Sequence, residues 1–286
     1  MGIVTGRNIV LTGVPRGGTT LACKLLEGCV DTVALFEPMD VNALPPRDRP
    51  AAIATICDFF DQVRARALHD SVVPSKQVDG LLPDNLFAKP DPAGHRAMLA
   101  KPGFIALDPR PAPGFTLVIK QNAAFTALLP ELASAFRAIA VVRHPLAVLA
   151  SWNSIDLPVS HGRLPAGERL DPDLAAELDA ESDLLARQLC VIEWFFSRFD
   201  RFLPASQVLR YEEMIASRGE SLRACAGVHG GPVAELAERN ANRACDPDLV
   251  RRAANALLER GGSWERWYPR PDMPAAARRI LDTREA

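Results

Sequence analysis

The chain has almost no net charge: across 286 residues, 33 Lys and Arg stand against 35 Asp and Glu, giving −2. A protein that tracks a nucleic-acid backbone draws most of its affinity from a basic stripe, so no nucleic-acid partner is expected. Long apolar runs are missing too. None approaches the roughly 18 uninterrupted apolar residues of a membrane span. The first apolar run, Asn8–Thr12, leads into Pro15, Arg16 and two glycines rather than a small-residue cleavage site. Cys23, Cys29, Cys57, Cys190, Cys225 and Cys245 include no C-x-x-C pair, which argues against a zinc ribbon or a dithiol redox motif. The five histidines have no metal-ligand spacing, and no internal repeat is visible. These absences point to a cytoplasmic protein with reduced, buried thiols and no metal. Lysine is scarce as well, with only Lys24, Lys76, Lys89, Lys101 and Lys120, so a lysine inside an apolar run stands out.

What is present is an alternation of short β-branched runs with helical segments, the pattern of a parallel sheet covered on both faces. Strands are expected at Asn8–Thr12, Thr32–Phe36, Thr116–Gln121, Ile139–Arg143 and Gln207–Tyr211, apolar almost throughout as doubly buried strands are. Helices are expected after Gly17, near Ala123, after Pro145, within Asp171–Phe202 and near Glu212, with more helix in the last third. The fold class is α/β: a three-layer, P-loop-like domain over residues 1–286 with about five parallel strands. Two loop-rich insertions, at about 74–113 and 156–172, interrupt it and are expected to line a binding pocket.

The strongest local signal is the run from Asn8 to Leu21, an apolar strand followed by Val-Pro-Arg-Gly-Gly-Thr-Thr. A glycine turn opening a helix aims backbone N–H groups and a helix dipole at one spot, which suits a phosphate. The run is similar to the nucleotide loop G-x-x-x-x-G-K-[ST], but Thr19 stands where the lysine belongs, which counts against phosphoryl transfer. A second run, Ile139 to Trp152, reads as a strand ending in Arg143, Pro145 in a first helical turn and Ser151 two turns on. A guanidinium and a hydroxyl so spaced can reach one anion.

Together these segments resemble the sulfotransferases that use PAPS (3′-phosphoadenosine 5′-phosphosulfate). The loop Val14–Thr20 is similar to their 5′-phosphosulfate loop, closest to the Pro-Arg-Ser-Gly-Thr-Thr form of the tyrosylprotein and bacterial branches, with Gly17 replacing Ser. The resemblance implies that Arg16, Gly17, Gly18, Thr19 and Thr20 hold the phosphosulfate, and that Arg143 and Ser151 grip the 3′-phosphate. It implies that Glu37, after the second strand, is the general base, and that Lys120, ending Thr-Leu-Val-Ile-Lys, stabilises charge with Arg16. Gln121 and Asn122 follow where the family commonly has Asp and Pro. Weaker likenesses assign Tyr211 to the nucleotide and Arg260, Gly261 and Gly262 to a loop over the 3′-phosphate, with Gly261 replacing Lys. Ser263 would add a donor there and Trp264 a stacking face. The function implied is sulfuryl transfer from PAPS to a hydroxyl or amine of a small-molecule, lipid or carbohydrate acceptor. The alternatives are a P-loop nucleotide-binding protein of kinase or NTPase type with a degenerate loop, or a binding module without turnover.

Overall fold

The computed structural model describes residues 6–88, 97–231, 235–237 and 246–282. From the amino end run β1 (Asn8–Gly13), α1 (Thr19–Glu27), β2 (Thr32–Phe36), α2 (Arg49–His69), β3 (Val72–Gln77), β4 (Lys101–Ala106) and β5 (Thr116–Lys120). Then follow α3 (Ala123–Ala127), α4 (Leu129–Ala135), β6 (Arg137–Val142), α5 (Pro145–Trp152), α6 (Pro165–Leu170), α7 (Pro172–Ala180) and α8 (Leu184–Phe202). The described remainder is β7 (Val208–Arg210), α9 (Tyr211–Ala216), α10 (Glu220–Ala226), α11 (Pro247–Arg260) and α12 (Met273–Asp282).

Five strands form one parallel sheet in the order β2-β5-β1-β6-β7. Successive side chains point to opposite faces, so the two faces collect different residues. Val10, Leu117, Ile119, Ala138, Ala140 and Val142 meet α2–α8, α11 and α12. Ile9, Leu11, Val118, Ile139 and Val141 meet α1, α9 and α10. This is the three-layer α/β architecture expected from the apolar runs. Boundaries move by one or two residues: Arg143 lies just past β6, and Tyr211 opens α9 rather than closing β7.

Other elements depart from expectation. The 21-residue α2 has no counterpart in the sequence reading. Its buried positions, Ala52, Ile56, Phe60, Val63 and Ala67, keep a helical stripe, but Ala, Arg and Asp between them blur the contrast. Asp48 caps it, its Oδ1 accepting from the Ala51 N–H at 2.9 Å. The stretch 156–172 is helical rather than loop-like, with a 3-10 turn over Pro158–His161, then α6, and the start of α7. Pro158, Pro165 and Pro172 each begin a helical segment, where a missing N–H costs nothing. The first insertion forms the antiparallel hairpin β3–β4, fastened to β2 by the Ser75 hydroxyl, which accepts from the Phe36 N–H at 3.1 Å. Among the described residues no helix is long and apolar enough to cross a membrane.

His144 joins β6 to α5. Its Nδ1 accepts from the Leu146 N–H at 3.3 Å, which leaves the neutral ring's proton on Nε2. Burial holds its pKa down at about 4, although Glu212 beside it pulls the other way. A depressed histidine stabilises the fold above its unfolded pKa of ~6.5 and loses that contribution as pH falls toward 4. Wild-type protein should therefore lose about 2 kcal/mol more than His144→Asn between pH 7 and pH 5. Denaturant unfolding at both pH values tests this, and parallel losses would rule it out.

Candidate active site

A parallel sheet gathers its chemistry at the carboxyl ends of its strands, where the chain leaves in opposite directions from a central strand. Here β1 is central, and the ends of β1, β2, β5 and β6 open into a cavity of about 1060 Å³. That lies at the top of the ~300–1,000 Å³ range typical of ligand pockets.

After β1 the chain folds back on itself: the Val14 N–H donates to Val141 O at 3.2 Å and the Gly17 N–H to Val14 O at 2.8 Å. Arg16 takes left-handed backbone (φ 66°), and so does Gly18 (φ 94°), which begins α1 without a side-chain cap. The first amides of α1 have no intrahelical acceptor and surround Thr19 and Thr20, which line the cavity. Gly13 is required at the turn, since a Cβ there would lie 2.2 Å from Val141 O.

The β6–α5 segment braces this loop. Arg143 donates from Nη1 to Arg16 O at 3.0 Å, Arg16 Nε to the Ser151 hydroxyl at 3.2 Å, and Trp152 Nε1 to Pro15 O at 2.9 Å. The Arg143 guanidinium also lies over the Tyr211 ring at 4.8 Å. Arg16, Arg143, Ser151 and Tyr211, far apart in sequence, thus form one cluster.

The second cluster lies where β2 and β5 end side by side. Phe36 pairs with Lys120 in register, and the Glu37 N–H donates to Lys120 O at 2.9 Å. Lys120, its side chain only 2% exposed, sets Nζ 2.7 Å from Glu37 Oε1 and 4.5 Å from the centre of the Phe36 ring. Lys76, from β3, takes the other oxygen, Nζ to Oε2 at 2.5 Å. Burial works to raise the Glu37 carboxyl, but the two ammonium groups outweigh it and hold the pKa at about 2. Burial pushes Lys120 down, opposed by Glu37, and burial pushes the neighbouring Cys23 thiol up. An ammonium–carboxylate–ammonium bridge of this kind neutralises the carboxylate and leaves one excess positive charge facing the cavity.

Lys76 completes this cluster but lies in an insertion without a motif, and the scarcity of lysine is the one signal the sequence offers for it. Both insertions reach the cavity: Leu86 and Met98 from the first, and Leu157, Val159 and Leu164 from the second, give it apolar walls away from the two clusters.

Arg260, Gly261 and Gly262 do not line this cavity. Arg260 contacts Cys190 Sγ and Glu177, the Gly262 N–H donates to Glu265 Oε1 at 2.9 Å, and Ser263 bonds Glu193 through both its N–H and its hydroxyl. Carboxylates hold the Gly262 and Ser263 donors, the Gly261 N–H bonds Leu257 O at 2.9 Å, and Trp264 is buried in the core. It is a packing corner against α8.

The loop's dependence on glycine is testable. A Cβ on Gly18 would meet Tyr211 Cδ2 at 2.5 Å in addition to the strain of a left-handed backbone, whereas one on Gly80 (φ 79°) meets nothing within 4 Å. Gly80→Ala should cost about 1 kcal/mol for backbone strain and Gly18→Ala about 1–3 kcal/mol more. Equal losses in denaturant unfolding would show that Tyr211 does not pack on the loop. No protein-family model matches the chain, and no curated protein matches it.

Proposed function

We propose that the protein is a PAPS-dependent sulfotransferase. One observation carries this reading: Arg16, Arg143 and Ser151 are bonded together at one end of the cavity that also holds the Glu37–Lys120 pair. A donor with anions on both the 3′ and 5′ positions of its ribose needs neighbouring cationic groups for the two and a base beyond the sulfuryl end. The loop amides, Thr19, Thr20 and Arg16 would hold the 5′-phosphosulfate. Arg143 and Ser151 would hold the 3′-phosphate, with Tyr211 stacked behind the guanidinium.

In the transfer, the acceptor oxygen bonds to sulfur as the bond from sulfur to the bridging phosphate oxygen breaks. The electron pair stays on that oxygen, giving adenosine 3′,5′-bisphosphate, and the acceptor's proton passes to Glu37. Lys120 and Arg16 oppose the charge that develops on the leaving and equatorial oxygens, the role Mg²⁺ has in phosphoryl transfer. The donors around Glu37 fit this better than they fit a metal nucleotide, because a divalent cation would have to displace two ammonium groups from the one strand-end carboxylate among the described lining residues. The apolar walls supplied by both insertions suit a small-molecule or lipid acceptor, or the hydrophobic face of a carbohydrate.

Calorimetry comparing adenosine 3′,5′-bisphosphate with Mg-ATP tests the donor. Binding of the first and not the second is expected, and the reverse result would replace sulfuryl transfer with a kinase or NTPase reading. Arg143→Ala should weaken bisphosphate binding about tenfold to a hundredfold. Glu37→Gln should leave that affinity nearly intact while lowering turnover by about 10²–10⁴ against a responsive acceptor. Turnover surviving in Glu37→Gln would place the base elsewhere.

A further inference from the structure

A base is most effective when its pKa lies near the working pH, and a carboxylate held down by two cations is far from that. Glu37 has this difficulty, and its two partners are not equivalent. Lys120 comes from inside the sheet and is sealed at 2% exposure; Lys76, from the hairpin, is 32% exposed. Oε1 therefore faces the sealed lysine, and Oε2 faces the part-exposed one.

Lys76 is also free to move without unfolding its strand. The hairpin is held to β2 by Ser75, whose hydroxyl accepts from the Phe36 N–H at 3.1 Å and donates to Lys76 O at 2.9 Å. That anchor is independent of the Lys76 ammonium, so a rotation of the flexible Lys76 side chain is enough to break its pair. Lys120 has no such freedom: its ammonium lies between the Phe36 ring and Glu37 beneath α1, with Cys23 and Lys76 as its other titratable neighbours.

We propose that Lys76 is a positioning residue that holds Glu37 Oε2, and that it must release this oxygen before an acceptor hydroxyl can be deprotonated. The inference rests on the sulfotransferase reading and deepens it: the β3–β4 hairpin, and not only the loop after β1, becomes part of the catalytic cycle. Charged and titratable groups facing Glu37 are Lys120 from β5, Lys76 from β3 and, through Lys120, Cys23 from α1. With Lys76 gone, one of the two charges holding the carboxyl down is lost, while burial continues to push it up. An incoming anion that attracts Lys76 would have the same effect.

The experiment follows the Glu37 side-chain carboxyl carbon by NMR across pH in the full chain, for wild type, Lys76→Met and Lys76→Arg. In Lys76→Met the titration midpoint should rise by about one pH unit or more, and Lys76→Arg should keep the wild-type behaviour. An unmoved midpoint in Lys76→Met overturns the proposal, whatever the protein catalyses, because no substrate is present. With PAPS and a responsive acceptor, the acid limb of kcat/KM should move to higher pH in Lys76→Met and stay in Lys76→Arg. A midpoint that moves while the acid limb does not overturns the gating step. A moved midpoint with no sulfuryl transfer by any of the three proteins overturns the functional reading, and the gating with it, and leaves only the pairing.

Discussion

The pair between Lys120 and Glu37 fixes how the site end of the sheet is built. A lysine at the end of a central, doubly covered strand is expensive to bury, and removing one member of such a pair typically costs about 3–5 kcal/mol because the other is stranded. The chain meets that constraint by placing the carboxylate on the adjacent strand in register, with Phe36 opposite Lys120 and Glu37 one residue beyond. Glu37 then adopts left-handed backbone (φ 43°), uncommon for a residue with a side chain. Its N–H still reaches Lys120 O, so backbone and side chain tie the same two strands together. Strain at a position supported from both sides is typical of functional geometry.

A second constraint acts across the sheet. The loop after β1 has little side-chain mass of its own, and its shape is set by contacts from β6 and α5: Val141 O for Val14, Ser151 for Arg16, and the Pro15 carbonyl for Trp152. Each cation thereby has its reach defined by a neighbour. Preorganisation of this sort spares an anionic ligand the cost of ordering long side chains, a cost of about 0.5–1.5 kcal/mol for each one immobilised.

Much of this was legible in the sequence, for identifiable reasons. Strands buried on both faces show as continuous apolar runs, and all five were found at nearly their true bounds. Glycines followed by threonines after such a strand mark a tight turn into a helix, so the turn at Gly13–Gly18 and the start of α1 could be read locally. The segment α2 could not, because its stripe of Ala52, Ile56, Phe60, Val63 and Ala67 is interrupted by residues of intermediate character. The prolines of 156–172 suggested loop because the same residue that breaks a helix also begins one. Arg260–Gly262 shows the opposite case: a motif depends on where the fold carries it, and here the segment is not part of the cavity lining, its Gly261 and Gly262 N–H groups held by Leu257 O and Glu265. Lys76 has only the scarcity of lysine to mark it in the sequence, because no motif announces a partner 39 residues away.

The near-zero net charge takes on a definite meaning in this geometry. The cavity is faced by Arg16, Lys24, Lys76, Lys120, Arg143 and Arg163, yet each has a partner within the protein. Lys24 pairs with Glu27, Arg163 with Glu168 and Asp179, the two other lysines with Glu37, and the two remaining arginines with a hydroxyl and a carbonyl. An anion entering such a cavity binds by exchange rather than by filling unmet demand. The partners differ in how readily they are given up. A carboxylate is the harder partner to give up, because parting it from an ammonium also costs the attraction of opposite charges. At Glu37 two ammonium groups share one carboxylate, so this is where exchange costs most.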